Sequence, residues 1–140
     1  DLFIGAAAVA DYRVQHPASG KMKKGDDDTI SLTLVQNPDI IAEVSHLERR
    51  PKMVVGFAAE THNLLEHART KRANKGLDMI IANDVSAPQT GFGSELNAVH
   101  LITAATEEQL TLASKQVIAE QIISALAEAL HQAAKSHPGS

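Results

Sequence analysis

A chain of 140 residues with 44% hydrophobic and 21% charged side chains has the length and composition of one globular domain, burying roughly two thirds of its unfolded surface. Its net charge of −4 excludes general binding to nucleic-acid backbones, which draw affinity from basic clusters that release counterions, and no apolar run nears the roughly 18 residues of a membrane helix. Without cysteine there is no disulfide, no thiolate nucleophile and no cysteine-based metal site.

Leu2-Phe3-Ile4 is a short apolar run leading into Gly5-Ala6-Ala7-Ala8, which predicts a buried strand whose end lets a ligand approach the backbone. Residues 9–14 read as extended, and residues 29–35 alternate as a strand with one buried face. Between them, residues 15–28 hold Pro17, Gly20, Gly25, three lysines and Asp26-Asp27-Asp28, predicting a polar flap on a long hairpin.

Asn37-Pro38 predicts a helix start, because asparagine caps exposed amides and proline at the first helical position sacrifices no internal bond. Ile40, Ile41, Val44 and Leu47 then mark an apolar face. Residues 53–57 and 79–81 read as buried strands around a helix over 62–75 that Gly76 ends. Strand, helix, strand with continuous apolar strands is the pattern of parallel crossovers, hence an α/β sheet of the nucleotide-binding type. After a Pro/Gly-rich loop over 86–94, residues 98–102 and 110–112 read as edge strands. A packing helix over 115–134 follows, with Val117, Ile118, Ile122, Leu126 and Leu130 as its stripe, and residues 131–140 read as a frayed tail.

Several groups suit phosphate and nucleotide chemistry. Lys21, Lys23 and Lys24 would neutralise a triphosphate and the charge that develops when its α-phosphorus is attacked, although a solvated charge run explains them as well. The start of the helix at Asn37, Pro38, Asp39 and Ile40 offers backbone N–H groups. Asp39 disfavours a phosphate there and directs the expectation to ribose or base. Lys71 and Lys75 stand one turn apart, where like charges oppose an isolated helix by roughly 0.2–0.5 kcal/mol; a bound polyphosphate reverses the sign, and complementing the helix C-terminus is the plainer role. The seven histidines show no metal-ligand spacing, and His62 and His67 read as surface residues. Neither a G-x-x-x-x-G-K-[ST] loop nor G-x-G-x-x-G is present.

Taken in order, A-A-V-A-D-Y-R, K-M-K-K, N-P-D-I, V-G-F-A-A-E-T and K-x-x-x-K-G-L-D-M-I-I-A-N-D-V-S resemble the phosphopantothenoylcysteine synthetase family over residues 5–86. The resemblance implies a Rossmann-like three-layer α/β fold with a protruding β-hairpin arm that forms a homodimer, residues 9–14 and 29–35 being the arm. It implies a ligase of coenzyme A biosynthesis. CTP, with Mg2+, activates 4′-phosphopantothenate as an acyl-cytidylate, and cysteine then displaces CMP. Carried onto matching residues, it assigns Gly5, Ala6, Ala7, Asp11, Asn37, Pro38, Asp39, Ile40 and Phe57 to the nucleotide, Lys71 and Lys75 to its phosphates, and Lys21 to catalysis. No metal-binding side chain is expected, and neither a nucleic-acid nor a membrane partner.

Family members begin with a further segment bearing an S-N-H-S-S-G-type loop, which residues 1–140 lack. The expectation is therefore a partial synthetase domain over 1–135, inactive alone if that segment is needed, with a disordered tail over 136–140. In bacteria such a domain often follows a flavin-dependent decarboxylase, so FMN belongs to that separate domain. No export leader is visible, and the cytoplasm is the expected compartment. Two rival readings fit the same residues: a truncated, non-catalytic nucleotide-binding or dimerisation module, and a relative that uses ATP.

Overall fold

The computed structural model describes residues 1–23, 29–60, 62–85 and 93–136. In chain order the elements are β1 (Leu2–Gly5), β2 (Tyr12–Val14), β3 (Leu34–Gln36), α1 (Ile40–Ser45), β4 (Met53–Glu60), α2 (Leu64–Asn74), β5 (Met79–Asp84), β6 (Leu96–Ile102), β7 (Glu107–Ser114) and α3 (Lys115–Ser136). They fall into two compact units, Asp1–Ala6 with Ile41–Ser140, and Ala7–Ile40.

The larger unit is a five-stranded sheet in the order β1-β4-β5-β6-β7. β1, β4 and β5 are parallel, and β6 and β7 complete it antiparallel. Alternation along the strands divides the core in two. Met53, Val55, Met79, Ile81, Val99 and Leu101 meet Ile118, Ile122 and Leu126 of α3. Val54, Ala58, Ile80, Ala82 and Ile102 lie on the opposite face with Ala68 of α2 and with Ile41 and Val44 of α1. Helices thus cover both faces, as continuous apolar parallel strands require, and each fully buried aliphatic side chain contributes roughly 1.5–3 kcal/mol.

Two glycines set how closely α1 approaches. Gly5 and Gly56 are register partners on neighbouring strands. A Cβ at Gly5 would stand 2.7 Å from Ile41 Cδ1, and one at Gly56 2.8 Å from Leu77 Cδ1 and 3.0 Å from Ile41 Cδ1. On its side-chain face Gly5 thus serves the packing of Ile41. α2 ends as predicted on Gly76, at φ +65. Gly76 N–H donates to Ala73 O at 3.2 Å and Leu77 N–H to Arg72 O at 3.0 Å, the paired bonds of a Schellman cap. Asp78 pairs with Arg50 and accepts the Val54 N–H at 2.7 Å, pinning the start of β4 to that of β5.

The smaller unit is a two-stranded antiparallel ribbon with Tyr12 opposite Gln36 and Val14 opposite Leu34. Its strands are shorter than the 9–14 and 29–35 expected, because a ribbon without a sheet beneath it is only marginally favourable. Tyr12, Ile30, Leu32 and Leu34 are all more than half exposed.

Other expectations change on inspection. Helix α1 begins at Ile40 rather than Pro38, since the Asn37 amide is committed to Arg13 and to Ala10 O. Ile40 and Leu47 are exposed, leaving Ile41 and Val44 as its core residues. β6 is an interior strand, not an edge, because β7 pairs beyond it. α3 runs past residue 131 to Ser136, an extension that Ala133 and Ala134 favour. Val117 is 41% exposed and leaves the predicted stripe. Lys24, Gly25, Asp26, Asp27, Asp28, most of the 86–94 loop and residues 137–140 lie outside the described residues. Among the described residues, no helix is long and apolar enough to cross a membrane.

Candidate functional site

In open parallel sheets, ligands bind beyond the carboxyl ends of the strands. In the larger unit those ends are Gly5 on β1, Glu60 on β4 and Asp84 on β5. Gly5 ends its strand half-buried, and Ala6 after it is exposed. Phe57 lies on β4 on the face of Met53 and Val55, yet it is 38% exposed, an aromatic ring left open where the buried run of residues 53–56 ends.

Beside it stands Asn83, which sequence reasoning did not single out. Asn83 is paired with Ala59 while Phe57 is paired with Ile81, so the two side chains are diagonal neighbours on the α3 face. The Asn83 Oδ1 atom is shielded from solvent and has no hydrogen-bond partner among the described residues. Such an acceptor costs about 1–3 kcal/mol when left unpaired, a penalty that an N–H on a ligand would remove. A signal existed in the sequence: strand parity from Met79 and Ile81 puts Asn83 on their face, where a polar group calls for an explanation.

Lys71 in α2 and Lys75, which caps its C-terminus, lie on the other face of the sheet from Phe57. Arg69 of the same helix pairs with Glu107 on β7. Lys71 and Lys75 lie about 200–240° around the helix from Arg69, hence on the flank that faces away from β7. Both are half-buried. With Glu66, His67, Thr70 and Asn74 they line a shallow open depression, where two ammonium groups one turn apart can hold a polyphosphate. Within this unit Phe57 and Asn83 are therefore brought together, and Lys71 with Lys75, as two separate groups.

The smaller unit joins Asp11 to Asn37. The Asn37 N–H donates to Asp11 O at 2.8 Å. Its side-chain Nδ2 donates to Ala10 O at 2.6 Å, and its Oδ1 accepts from Arg13 Nη1 at 3.0 Å. Arg13 also donates to Gln36 O at 3.0 Å. Asn37 is thus a rigid tie at the open end of the ribbon rather than a helix cap, and Pro38 and Asp39 continue from it, exposed. Ala7 and Lys21 are exposed as well, and Lys21 lies in the connection that leaves the ribbon's other end.

His62 and His67 are exposed, with His67 Nδ1 3.6 Å from a Glu60 carboxylate oxygen. Among the described residues no three His, Asp or Glu side chains gather as metal ligands.

The family described as DNA/pantothenate metabolism flavoprotein C-terminal domain matches residues 1–130. The Coenzyme A biosynthesis bifunctional protein CoaBC of Escherichia coli (strain K12) is 46% identical over 125 residues, covering 88% of this chain and 31% of that protein. Its counterpart in Haemophilus influenzae is 46% identical over 127 residues, 91% of this chain and 31% of that one. In Borreliella burgdorferi the figures are 38% over 127 residues, 90% and 32%. The chain thus spans about a third of the length of these relatives. Among solved structures, the C-terminal domain of CoaBC superposes with a TM-score of 0.68 at 28% identity, over 94% of this chain and 58% of that one. The DNA/pantothenate metabolism flavoprotein from Streptococcus pneumoniae shares the fold, with a TM-score of 0.57 at 22% identity over 73% of this chain and 45% of that one.

Proposed function

This chain belongs to the DNA/pantothenate metabolism flavoprotein C-terminal domain family, and from that premise we propose that it is the nucleotide-binding part of a CTP-dependent phosphopantothenate–cysteine ligase in coenzyme A biosynthesis. The observation that carries the reading is the exposed Phe57 ring beside the donorless Asn83 Oδ1 near the carboxyl ends of β4 and β5. A nucleobase offers what that pair lacks, a flat face for the ring and an amino N–H for the oxygen.

In the proposed reaction a carboxylate oxygen of 4′-phosphopantothenate attacks the α-phosphorus of CTP. The bond to the β-phosphate oxygen breaks, pyrophosphate leaves with Mg2+, and an acyl-cytidylate remains. The cysteine amine then attacks the acyl carbon, CMP departs and the amine proton is released. Lys71 and Lys75 hold the phosphates, and Lys21 offsets the negative charge that grows on the phosphorus oxygens. Gly5, Ala6, Ala7, Asp11, Asn37, Pro38, Asp39 and Ile40 contact the nucleotide. FMN has no part in this reaction and belongs to a separate decarboxylase domain. The exposed apolar side chains of the ribbon, Ile30, Leu32 and Leu34, support a homodimer closed through that arm. The work is cytoplasmic.

A second reading, use of ATP, is favoured by the same Asn83 acceptor, since adenine and cytosine both carry an exocyclic amino group. The deciding experiment incubates the chain with 4′-phosphopantothenate, Mg2+ and either nucleotide, and follows pyrophosphate release and the acyl-nucleotide by mass spectrometry before cysteine is added. An acyl-cytidylate that cysteine converts to the amide supports the proposal. Nucleotide binding without pyrophosphate leaves a non-catalytic binding module, and acyl-adenylate alone replaces CTP with ATP.

A further inference from the structure

Ser45, at the last position of α1, is a buried polar side chain, only 5% exposed. Its Oγ lies 2.8 Å from Ala42 O and 3.0 Å from His46 Nδ1, and it is also hydrogen-bonded to Lys75 O. A hydroxyl has one proton, so it serves one of the two carbonyls. Ala42 O already accepts the His46 backbone N–H at 3.2 Å, and His46 Nδ1, 2.7 Å away, donates to it as well in the Nδ1–H tautomer. The Ser45 proton is left for Lys75 O.

The last carbonyls of a helix have no intrahelical donor, and here α1 provides one for the residue that closes α2. Gly76 completes the interlock: a Cβ there would stand 3.3 Å from His46 Cε1 and 3.4 Å from Ser45 Oγ. The two helices are thus tied at one end, and the tie falls on the main chain of Lys75.

We propose that Ser45 is a positioning residue for polyphosphate binding, holding the end of α2 so that Lys75, and Lys71 one turn before it, present their ammonium groups at a fixed place. This rests on the assignment of those lysines to the nucleotide's phosphates. It predicts an effect that depends on how many phosphates the ligand carries, which a general packing role would not produce.

The test is calorimetric titration of the full chain with CTP and with CMP, Mg2+ present, for the parent, Ser45→Ala, Lys75→Gln and the double variant. Ser45→Ala is expected to weaken CTP by about three- to tenfold, the equivalent of one neutral hydrogen bond, while CMP binds as before. In the Lys75→Gln background, Ser45→Ala should cost CTP less than it does in the parent, because only Lys71 is left to be displaced. Equal losses for CTP and CMP, or an unchanged CTP affinity in Ser45→Ala, overturn the inference. If Lys75→Gln itself leaves CTP affinity intact, the phosphate assignment falls and takes Ser45's role with it. A parent chain that binds neither nucleotide refutes the proposed function beneath both.

Discussion

Replacing Gly76 by alanine isolates the backbone geometry that ends α2. At φ +65 an L side chain costs about 1–2 kcal/mol. The added Cβ also meets His46 Cε1 at 3.3 Å and Ser45 Oγ at 3.4 Å, contacts tight enough to push His46 aside. Alanine recovers about 0.4–1 kcal/mol by stiffening the unfolded chain. Strain less that gain, with the crowding added, leaves a net loss of about 0.5–1.5 kcal/mol, and at roughly 2.1 cal/mol/K of unfolding entropy per residue over 140 residues, the melting temperature should fall by about 2–5 °C. Circular dichroism melts of parent, Gly76→Ala and Gly76→Asn measure it. Asparagine, which tolerates the left-handed region, should lose less than half as much. Gly93→Ala is the control, because φ is +83 there but no described residue lies within 4 Å of the added Cβ. A Gly76→Ala chain that melts with the parent refutes the reasoning.

Three further outcomes follow from the site. Asn83→Leu removes a shielded acceptor without a donor, so the free chain should keep or gain stability while CTP affinity drops about tenfold or more; a loss of stability with unchanged affinity, read by melting and titration, sinks that role. Lys21→Gln should slow acyl-cytidylate formation by about 10²–10³-fold, the scale of one lost charge-stabilising donor, with CTP still bound; undiminished turnover in a rapid-quench assay defeats the assignment. Leu32→Glu places a charge among the exposed apolar side chains of the smaller unit and should convert the proposed dimer to monomer in sedimentation velocity, whereas an unaltered dimer moves the interface elsewhere and a monomeric parent refutes the dimer.

The sheet was legible because its strands announce themselves. Met53-Val54-Val55 and Met79-Ile80-Ile81 are apolar on both faces, the mark of parallel strands covered by helices, and Gly76 ends α2 where its freedom from a Cβ predicts. Legibility failed where a side chain had two possible uses. Asn37 looks like a helix cap from its neighbours Pro38 and Ile40, yet Arg13 and the Ala10 carbonyl claim its amide, contacts that depend on a strand more than twenty residues away. Gly5 reads as room for a ligand at the backbone, and the sequence does not show its second use, the packing of Ile41 against its side-chain face. The extent of β2 and β3 was overestimated because alternation in residues 29–35 implies a face to be buried, and the ribbon has none of its own. Asn83 was missed because the eye stops at the end of an apolar run, although strand parity carries its side chain onto the face of Met79 and Ile81.

The central claim, a cytidine-nucleotide pocket on this chain, is met most directly by thermal unfolding with Mg2+ and either CTP or ATP. Ligand at about 100 times its dissociation constant adds roughly 2.7 kcal/mol, a rise of about 5–10 °C for a chain of this size. The account predicts that rise with CTP and a smaller one, or none, with ATP at the same concentration. An unchanged melting temperature with CTP, or an equal rise with both nucleotides, contradicts it.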